Sequence, residues 1–123
     1  MVTLLSKLPS ALQNVIKSVN KLTSAGNQST TINTTSDKLF LLSEVEIFGR
    51  TIYSKSGEGS QYDYYRAGNS KAKKVNGSVS SWWERSPYNN NNTNFCRVDG
   101  NGDAGSGGFE ASTSLGVSFA FCV

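Results

Sequence analysis

Residues 81–98, SWWERSPYNNNNTNFCRV, constrain the fold of this chain more than any other stretch. Two tryptophans precede a proline and a run of asparagines, and an apolar Phe-Cys pair follows that run. Apolar segments on both sides of a very polar segment are typical of a loop that a folded domain displays rather than buries. The stretch therefore predicts two strands, at 81–85 and 94–99, joined by an exposed loop at 88–94.

The first part of the chain predicts a long helix. Ser10 and Gln13 form a capping box, so a helix is expected from there to Gly26. Its apolar face is formed by residues at helical spacing, namely Leu8, Leu12, Val15, Ile16, Val19 and Leu22. Residues 26–37 have almost nothing to bury, which predicts an exposed connection with a short extended piece at 30–34.

Three shorter elements are predicted next. The continuous apolar run KLFLL at 38–42 is typical of a buried strand. Ser43 and Glu46 form a second capping box, and Gly49 is expected to close that short helix. A third short helix is expected to begin at Ser60, which has a good N-cap side chain.

The last third of the chain predicts an antiparallel sheet. Asn76 and Gly77 mark a tight turn, and residues 116–123 alternate between large apolar and smaller side chains. An N-terminal helix and short helices followed by a small antiparallel sheet with long polar loops indicate the α+β class. A chain of 123 residues suffices for one domain, 1–123, with one core.

Strand geometry separates the two tryptophans, because neighbouring side chains on a strand point to opposite faces. We assign Trp83 to the core together with Cys96 and Val98, and Trp82 to the displayed face. Arg85 is expected to bind a backbone carbonyl or an aspartate of the fold rather than a ligand.

Composition argues against an enzyme and against nucleic-acid binding. The chain has no histidine, which removes the commonest general base and the commonest metal ligand. Its net charge is only +3, and its basic cluster of Lys71, Lys73 and Lys74 is typical of a solvated loop. We therefore predict no catalytic activity, no cofactor and no nucleic-acid partner.

The cellular location determines what the two cysteines can form. The N-terminal apolar run is too short for a signal peptide and no membrane span follows it. We expect no membrane insertion, and the chain either stays inside a cell or leaves as part of a larger assembly. Outside a cell, Cys96 and Cys122 could form a disulfide that stabilises by about 3 kcal/mol. In cytoplasm two buried thiols are expected, and of the two states we favour the thiols.

Residues 99–110, DGNGDAGSGGFE, come close to a calcium-binding loop. Asp99, Asn101 and Asp103 hold positions one, three and five, and Glu110 holds position twelve. Alanine replaces the glycine that the loop needs at position six, and turns alone explain the Asp-Gly and Asn-Gly steps. We therefore assign no metal and keep calcium as the alternative.

Several spaced motifs resemble one known family. WWERSP, FCRVDGNGD and GVSFAFCV, with DKLFLLSEVEIFG and GEGSQYDYY upstream, are similar to a domain of unknown function of gut bacteria and their phages. Its members contain WWLRSP, then FCxVxxDG, then GVSFGFC, and the resemblance covers roughly residues 8–123. Glu84 departs from it, because the family has leucine there. The family also has more chain before the first helix, so either this chain is a fragment or another subunit or a larger parent protein covers its sheet edge.

The resemblance implies a C-type-lectin-like fold. Some relatives are the variable proteins of diversity-generating retroelements, in which a reverse transcriptase miscopies adenines and thereby changes asparagine codons. Residues 88–94 and Asn101 fit such a variable repeat. The resemblance thus implies receptor binding or surface display, on a phage virion or a bacterial cell surface.

The predicted function is a target-binding module whose partner is a protein or glycan on a cell surface. Two alternatives stay open: a passive structural or assembly module, and a calcium-dependent carbohydrate-binding domain. The predicted binding residues form one face and are Trp82, Glu84, Tyr88, Asn89, Asn90, Asn91, Asn92, Asn94, Arg97, Asp99, Asn101 and Asp103.

Overall fold

A computed structural model describes residues 2–27 and 29–123 of the chain. Short helices and short strands follow one another along it. They are α1 (Val2–Ser6), α2 (Ser10–Gln13), β1 (Val19–Ser24), β2 (Ile32–Asp37), β3 (Phe40–Leu41), α3 (Glu44–Phe48), α4 (Asp63–Arg66), β4 (Lys73–Val75), β5 (Ser78–Ser80), β6 (Trp82–Pro87), β7 (Asn94–Val98), β8 (Phe109–Glu110) and β9 (Phe119–Ala120).

The strands pair in small antiparallel sheets. β1 and β2 form one hairpin and β4 and β5 form another. β3 pairs with β9, which brings the C-terminal segment against the middle of the chain, and β6, β7 and β8 form a three-stranded sheet. The α+β class is confirmed at this level, as a small mixed domain with more strand than helix.

The predicted first helix is wrong beyond Gln13. α2 ends there, its N-cap is Pro9 without a side-chain hydrogen bond, and residues 19–24 form β1 instead. Asparagine and β-branched side chains between 14 and 23 weaken a helix, and pairing with β2 satisfies the backbone of both segments. Residues 26–37 are correspondingly more ordered than expected, because β2 occupies their second half.

Signals that act within a few residues are confirmed. Ser43 Oγ accepts a hydrogen bond from the Glu46 amide at 3.3 Å, and the Ser43 amide donates to Glu46 Oε1 at 2.9 Å. Gly49, with φ of 77°, ends α3 in the left-handed conformation. Asn76 and Gly77, with φ of 51° and 85°, make the tight turn between β4 and β5.

Two predicted boundaries are wrong. The N-cap of α4 is Tyr62 rather than Ser60, so the helix is a single turn. The predicted strand at 116–123 is reduced to Phe119–Ala120, with Phe121 exposed beyond it. The sequence alternation suggested a buried face at this terminus, whereas the side chain that packs against the core is that of Ala120.

The hydrophobic core joins these elements. It consists of Phe40, Leu42, Ile47, Tyr65, Trp82 and Val98, with Val19, Phe48 and Ala120 packed around it. Because β3, α3, α4, β6 and β7 all contribute, no single sheet has a core of its own. Within the described residues, no helix has the length and hydrophobicity that crossing a membrane requires.

Candidate functional site

Side chains along β6 point alternately inward and outward, as predicted. The predicted sides are reversed, however, because Trp82 rather than Trp83 faces the core. Trp82, Glu84 and Ser86 are buried, while Trp83 and Arg85 are partly exposed. Trp82 lies opposite Val98, whose side chain is in the core, and its indole N–H donates to the Lys71 carbonyl at 2.9 Å. Trp82 and Glu84 therefore do not belong to a displayed surface.

The outward side of β6 and β7 forms an open apolar groove. It has a volume of about 320 Å³, and its lining residues are Leu41, Trp83, Glu84, Arg85, Phe95 and Ala111. The lining is mainly apolar. Trp83 and Phe95 supply aromatic area next to the Arg85 side chain, a combination that is common in binding sites.

Residues 88–94, which we call the Asn loop, lie next to this groove. The Tyr88 amide donates to the Asn94 carbonyl at 3.0 Å, which closes the loop. A second depression of about 140 Å³ is lined by Ala25, Gly26, Asn27, Pro87, Asn91, Asn92, Asn94 and Phe95. Phe95 lines both concavities, so the apolar groove and the depression beside the Asn loop adjoin at this residue.

The Asn loop is held by contacts of its own. Asn91 Oδ1 accepts hydrogen bonds from the amide and the hydroxyl of Thr93, each at 2.7 Å. The Tyr88 ring stacks on Tyr53 with centroids 5.6 Å apart, and the Asn89 amide donates to the Tyr53 carbonyl at 2.8 Å. Asn91 and Asn92 expose their side chains, while Tyr88 and Asn89 are half-buried.

The remaining predicted binding residues lie at the other end of β7. The Asn loop precedes β7 and residues 99–103 follow it, so the strand, about 13 Å long, separates them. Arg97 is occupied within the fold, because its guanidinium lies 4.0 Å from the Phe109 ring and donates to Ser81 Oγ. The predicted single face from the Asn loop to Asp103 would therefore have to extend along the whole of β7, and it stays a prediction.

In the segment that resembles a calcium-binding loop, Asp99 already has hydrogen-bond partners within the segment. Asp99 Oδ1 accepts hydrogen bonds from the amides of Asn101 and Asp103, at 2.9 and 3.0 Å, so this carboxylate stabilises a turn. Among residues 2–27 and 29–123, no group of closely spaced metal-ligating atoms contains Asp99, Asp103 and Glu110 together.

Four glutamates are buried in the described part of the chain, and we call them the carboxylate cluster: Glu44, Glu46, Glu58 and Glu84. Of these four, the sequence predicted a capping role for Glu46 and a binding role for Glu84, and burial was predicted for neither. Glu46 accepts hydrogen bonds from Lys21 and Arg85, both in ion pairs with it. Although burial alone would raise the pKa of Glu46, these bonds with Arg85 and Lys21 hold it below its ordinary value.

Arg85 confirms the structural role that was predicted for it. Beyond Glu46, its guanidinium donates to the carbonyls of Leu22, Leu41 and Glu58, at 2.9, 2.9 and 3.1 Å. It therefore ties β6 to β1, to β3 and to the segment before α4, underneath the groove that its side chain lines.

Glu84 lies near Glu44 and Cys96 in the interior. One ligand atom from each of the three residues lies within 4.8 Å of the other two. Both carboxylate oxygens of Glu84 lack a hydrogen-bond partner among the described residues. Burial, with Glu44 and Glu58 nearby, raises the pKa of Glu84 well above its ordinary value, and burial likewise raises the pKa of Cys96.

The cysteines are not linked in the described chain. Cys96 is buried and Cys122 is exposed, and both are free thiols. The predicted alternative of a disulfide is therefore wrong, and the favoured pair of buried thiols holds for Cys96 only. Cys122 lies outside the core, and its carbonyl accepts a hydrogen bond from the Lys17 amide at 2.9 Å.

Comparison with known proteins identifies a family but no characterised relative. The model of a family described as a domain of unknown function, DUF6273, matches residues 2–123. No curated protein matches the chain, and no solved structure matches it.

Proposed function

The chain belongs to the DUF6273 family of domains of unknown function, and we propose that this member is a target-binding module. The proposed binding surface consists of the Asn loop and the apolar groove beside it. The target is a protein or glycan presented on a cell surface. The observation that carries this proposal is the sharing of Phe95 between the groove and the depression under the loop.

The chemistry of the surface suits recognition. Asparagine amides both donate and accept hydrogen bonds, and exposed Asn91 and Asn92 line the same depression as Phe95. Binding loops of antibodies combine adaptable polar side chains with rigid aromatic ones in the same way. Sugar rings and protein backbones both offer the hydroxyl, amide and apolar groups that such a surface can bind.

Preorganisation supports the same function. The bonds of Asn91 to Thr93 and the stacking of Tyr88 on Tyr53 hold the Asn loop without help from a ligand. A loop that is already ordered loses little conformational entropy on binding. A passive loop of a structural module would not need to be held in this way next to an open groove.

The scaffold that we propose is C-type-lectin-like, and we propose that the Asn loop is the variable part of a diversity-generating retroelement protein. This rests on the spaced motifs WWERSP, FCRVDGNGD and GVSFAFCV. The exposure of Asn91 and Asn92 supports it, because codon changes at exposed positions leave the core intact. A reverse-transcriptase gene beside this one, with a template repeat matching codons 88–101, would support the variable-protein proposal. A gene neighbourhood without either element would contradict it.

The binding proposal is tested with a glycan array and with immobilised bacterial cells from gut isolates. Trp83→Ala removes the aromatic wall of the groove and Asn92→Ala removes one loop amide. Tyr64→Ala is the matched control, because Tyr64 is 60% exposed on α4, away from the groove-lining residues. We expect Trp83→Ala to weaken binding about 30-fold, as for an interface hot spot, and Tyr64→Ala to leave it unchanged.

Folding of each variant is checked by circular dichroism and thermal unfolding. Binding that survives both Trp83→Ala and Asn92→Ala in folded protein would overturn the proposed surface. A protein that binds neither glycans nor any of the immobilised cells would favour the passive structural module.

A further inference from the structure

The interior around Glu84 contains an unusual set of ligand atoms. A carboxylate oxygen from Glu44, one from Glu84 and the sulfur of Cys96 lie within 4.8 Å of one another. In a tetrahedral zinc site, bond lengths of about 2.0 Å to oxygen and 2.3 Å to sulfur place ligand atoms about 3.3–3.5 Å apart. Each pair therefore needs to close by no more than about 1.5 Å to hold such an ion.

Glu84 is the member of this set whose position the fold does not otherwise explain. Its exposed fraction is 2%, and neither carboxylate oxygen has a hydrogen-bond partner in residues 2–27 and 29–123. Buried polar groups in proteins are almost always hydrogen-bonded or bound to an ion. Two buried carboxylate oxygens without hydrogen-bond partners in the described chain, next to a second carboxylate and a thiol, match the ligand set of a cation-binding site.

Glu44 is arranged as a ligand that the protein orients. Its Oε1 accepts hydrogen bonds from the amides of Ile52, Tyr53 and Ser54 and from the Ser54 hydroxyl, at 2.7–3.0 Å. Among the described residues, its Oε2 accepts a hydrogen bond only from the Tyr53 amide, at 3.1 Å, which leaves lone-pair capacity for an ion. Hydrogen bonds of this kind fix the direction of a coordinating carboxylate.

The charge of the interior also favours a divalent cation. The carboxylate cluster has four acidic groups, and the buried cations that contact it in the described chain are Lys21 and Arg85. Both cations are engaged by Glu46, so neither neutralises Glu84 directly. With all four carboxylates ionised and Cys96 present as the thiolate that binds metal, the interior has three negative charges in excess, of which one divalent ion would offset two.

We propose that Glu44, Glu84 and Cys96 form a buried binding site for Zn²⁺. A thiol among the ligands favours a borderline-soft ion over Mg²⁺ or Ca²⁺, which prefer oxygen alone. The site lies on the buried side of β6 and does not depend on the Asn loop. Because all three ligands are buried, the ion enters while the chain folds.

The test uses full-length protein with the Cys122→Ser substitution, so that Cys96 is its remaining thiol. The protein is unfolded, refolded with Co²⁺ as a coloured substitute for Zn²⁺, and freed of unbound metal by gel filtration. We expect one Co²⁺ per chain, with the near-ultraviolet charge-transfer absorption of a thiolate–cobalt bond. Refolding with Zn²⁺ is expected to remove that absorption and to raise the melting temperature relative to protein refolded in a chelator.

Three variants in this background decide which residues hold the metal. Glu84→Leu and Cys96→Ala each remove one ligand and are expected to lower Zn²⁺ affinity by more than the roughly 10–100-fold typical of lost supporting contacts. Glu110→Gln is the matched control, because Glu110 is an exposed glutamate on β8, and it is expected to bind metal as the parent does.

Glu84→Leu keeps the experiment decisive if other variants unfold, because leucine removes a buried acidic group that lacks hydrogen-bond partners within the described residues, and this variant is expected to fold. Absence of the charge-transfer absorption in refolded parent protein would overturn the proposal. So would an absorption that persists in folded Glu84→Leu or in folded Cys96→Ala.

Discussion

Glu84 is the side chain that fits its surroundings least well in metal-free protein. It is a carboxyl group with two unpartnered oxygens in an interior that already contains three other carboxylates. Burial raises its pKa well above the ordinary value of 4.5. Between the ordinary pKa and the raised one, Glu84 takes up a proton when the metal-free chain folds, so the free energy of unfolding falls as the pH rises through that range.

Glu84→Leu is expected to stabilise metal-free protein by about 1–3 kcal/mol at neutral pH, because leucine needs no hydrogen-bond partner. The gain depends on pH. The stability that protonated Glu84 retains is complete below pH 4.5 and is lost as the pH rises toward its raised folded pKa. The difference in stability between variant and wild type therefore grows as the pH rises above 4.5 toward that raised pKa, by at most about 1.4 kcal/mol per pH unit.

Urea unfolding in the presence of EDTA measures this difference. Comparing variant with wild type at each pH cancels the contribution of Glu46, whose lowered pKa gives stability an opposite dependence on pH. A Glu84→Leu protein that is less stable than wild type, or a gain that does not change with pH, would contradict the buried-acid interpretation.

Arg85 contrasts with Glu84, because its guanidinium has hydrogen-bond acceptors on several elements of the fold. Arg85→Ala removes one of the two cations that pair with Glu46 among the described residues, and it takes away the guanidinium donor of three carbonyls. We expect a loss of about 3–5 kcal/mol in the free energy of unfolding, measured by urea denaturation. Arg66→Ala is the control: its ion pair with Asp63 is on the surface, and its loss should cost less than about 1 kcal/mol. Equal effects of the two substitutions would contradict the role of Arg85.

At the scale of elements, what the sequence predicts depends on how far its signals act. The capping box of α3 and the turn at Asn76 and Gly77 are complete within four residues, and both were predictable. β1 forms because its partner strand, β2, follows after residues 25–31, and a helical apolar pattern in the sequence hides this pairing. Which side of β6 faces the core depends on its register with β7. Because the sequence does not reveal this register, it led us to assign Trp83 to the core instead of Trp82.

The Asn loop allows one element to be tested by itself. Asn91→Ala removes the acceptor for the Thr93 amide, whose hydrogen exchange we expect to become about 5–10-fold faster, as for a lost bond of about 1 kcal/mol. Asn91→Asp keeps an acceptor and should keep the protection. Asn92→Ala, at the neighbouring exposed position, should leave the Thr93 amide unchanged. Equal acceleration by Asn91→Ala and Asn92→Ala would show that Asn91 does not hold the loop.

At the scale of the whole molecule, the carboxylate cluster connects elements that do not share a sheet, such as β1, α3 and β6. Lys21 comes from β1, Glu46 from α3 and Arg85 from β6, and Glu58 Oε2 accepts the Ser24 amide at 3.0 Å. Composition could not reveal this network, because a low share of charged residues gives no sign that several of them are buried. Only the spatial arrangement shows that polar groups supply contacts between sheets that are too small to have separate cores.

The reactivity of the two thiols tests whether these connections make the domain unfold as a single unit. Cys122 is exposed and is expected to react with a thiol reagent within the mixing time under native conditions, while buried Cys96 in metal-free protein reacts only when the domain unfolds. Its labelling rate at increasing urea should follow the global unfolding free energy. Cys96 labelling that is fast and independent of urea would show that β6 and β7 open separately from the rest of the domain.

Glu46 also determines when during synthesis the domain can be completed. Its capping box with Ser43 forms locally, but its cations are 25 residues earlier and 39 residues later in the chain. A nascent chain that has not yet released β6 from the ribosome therefore has α3 and Lys21 but not Arg85. A product truncated before that residue has an underpaired carboxylate where the core should close, so this network distinguishes complete chains from incomplete ones.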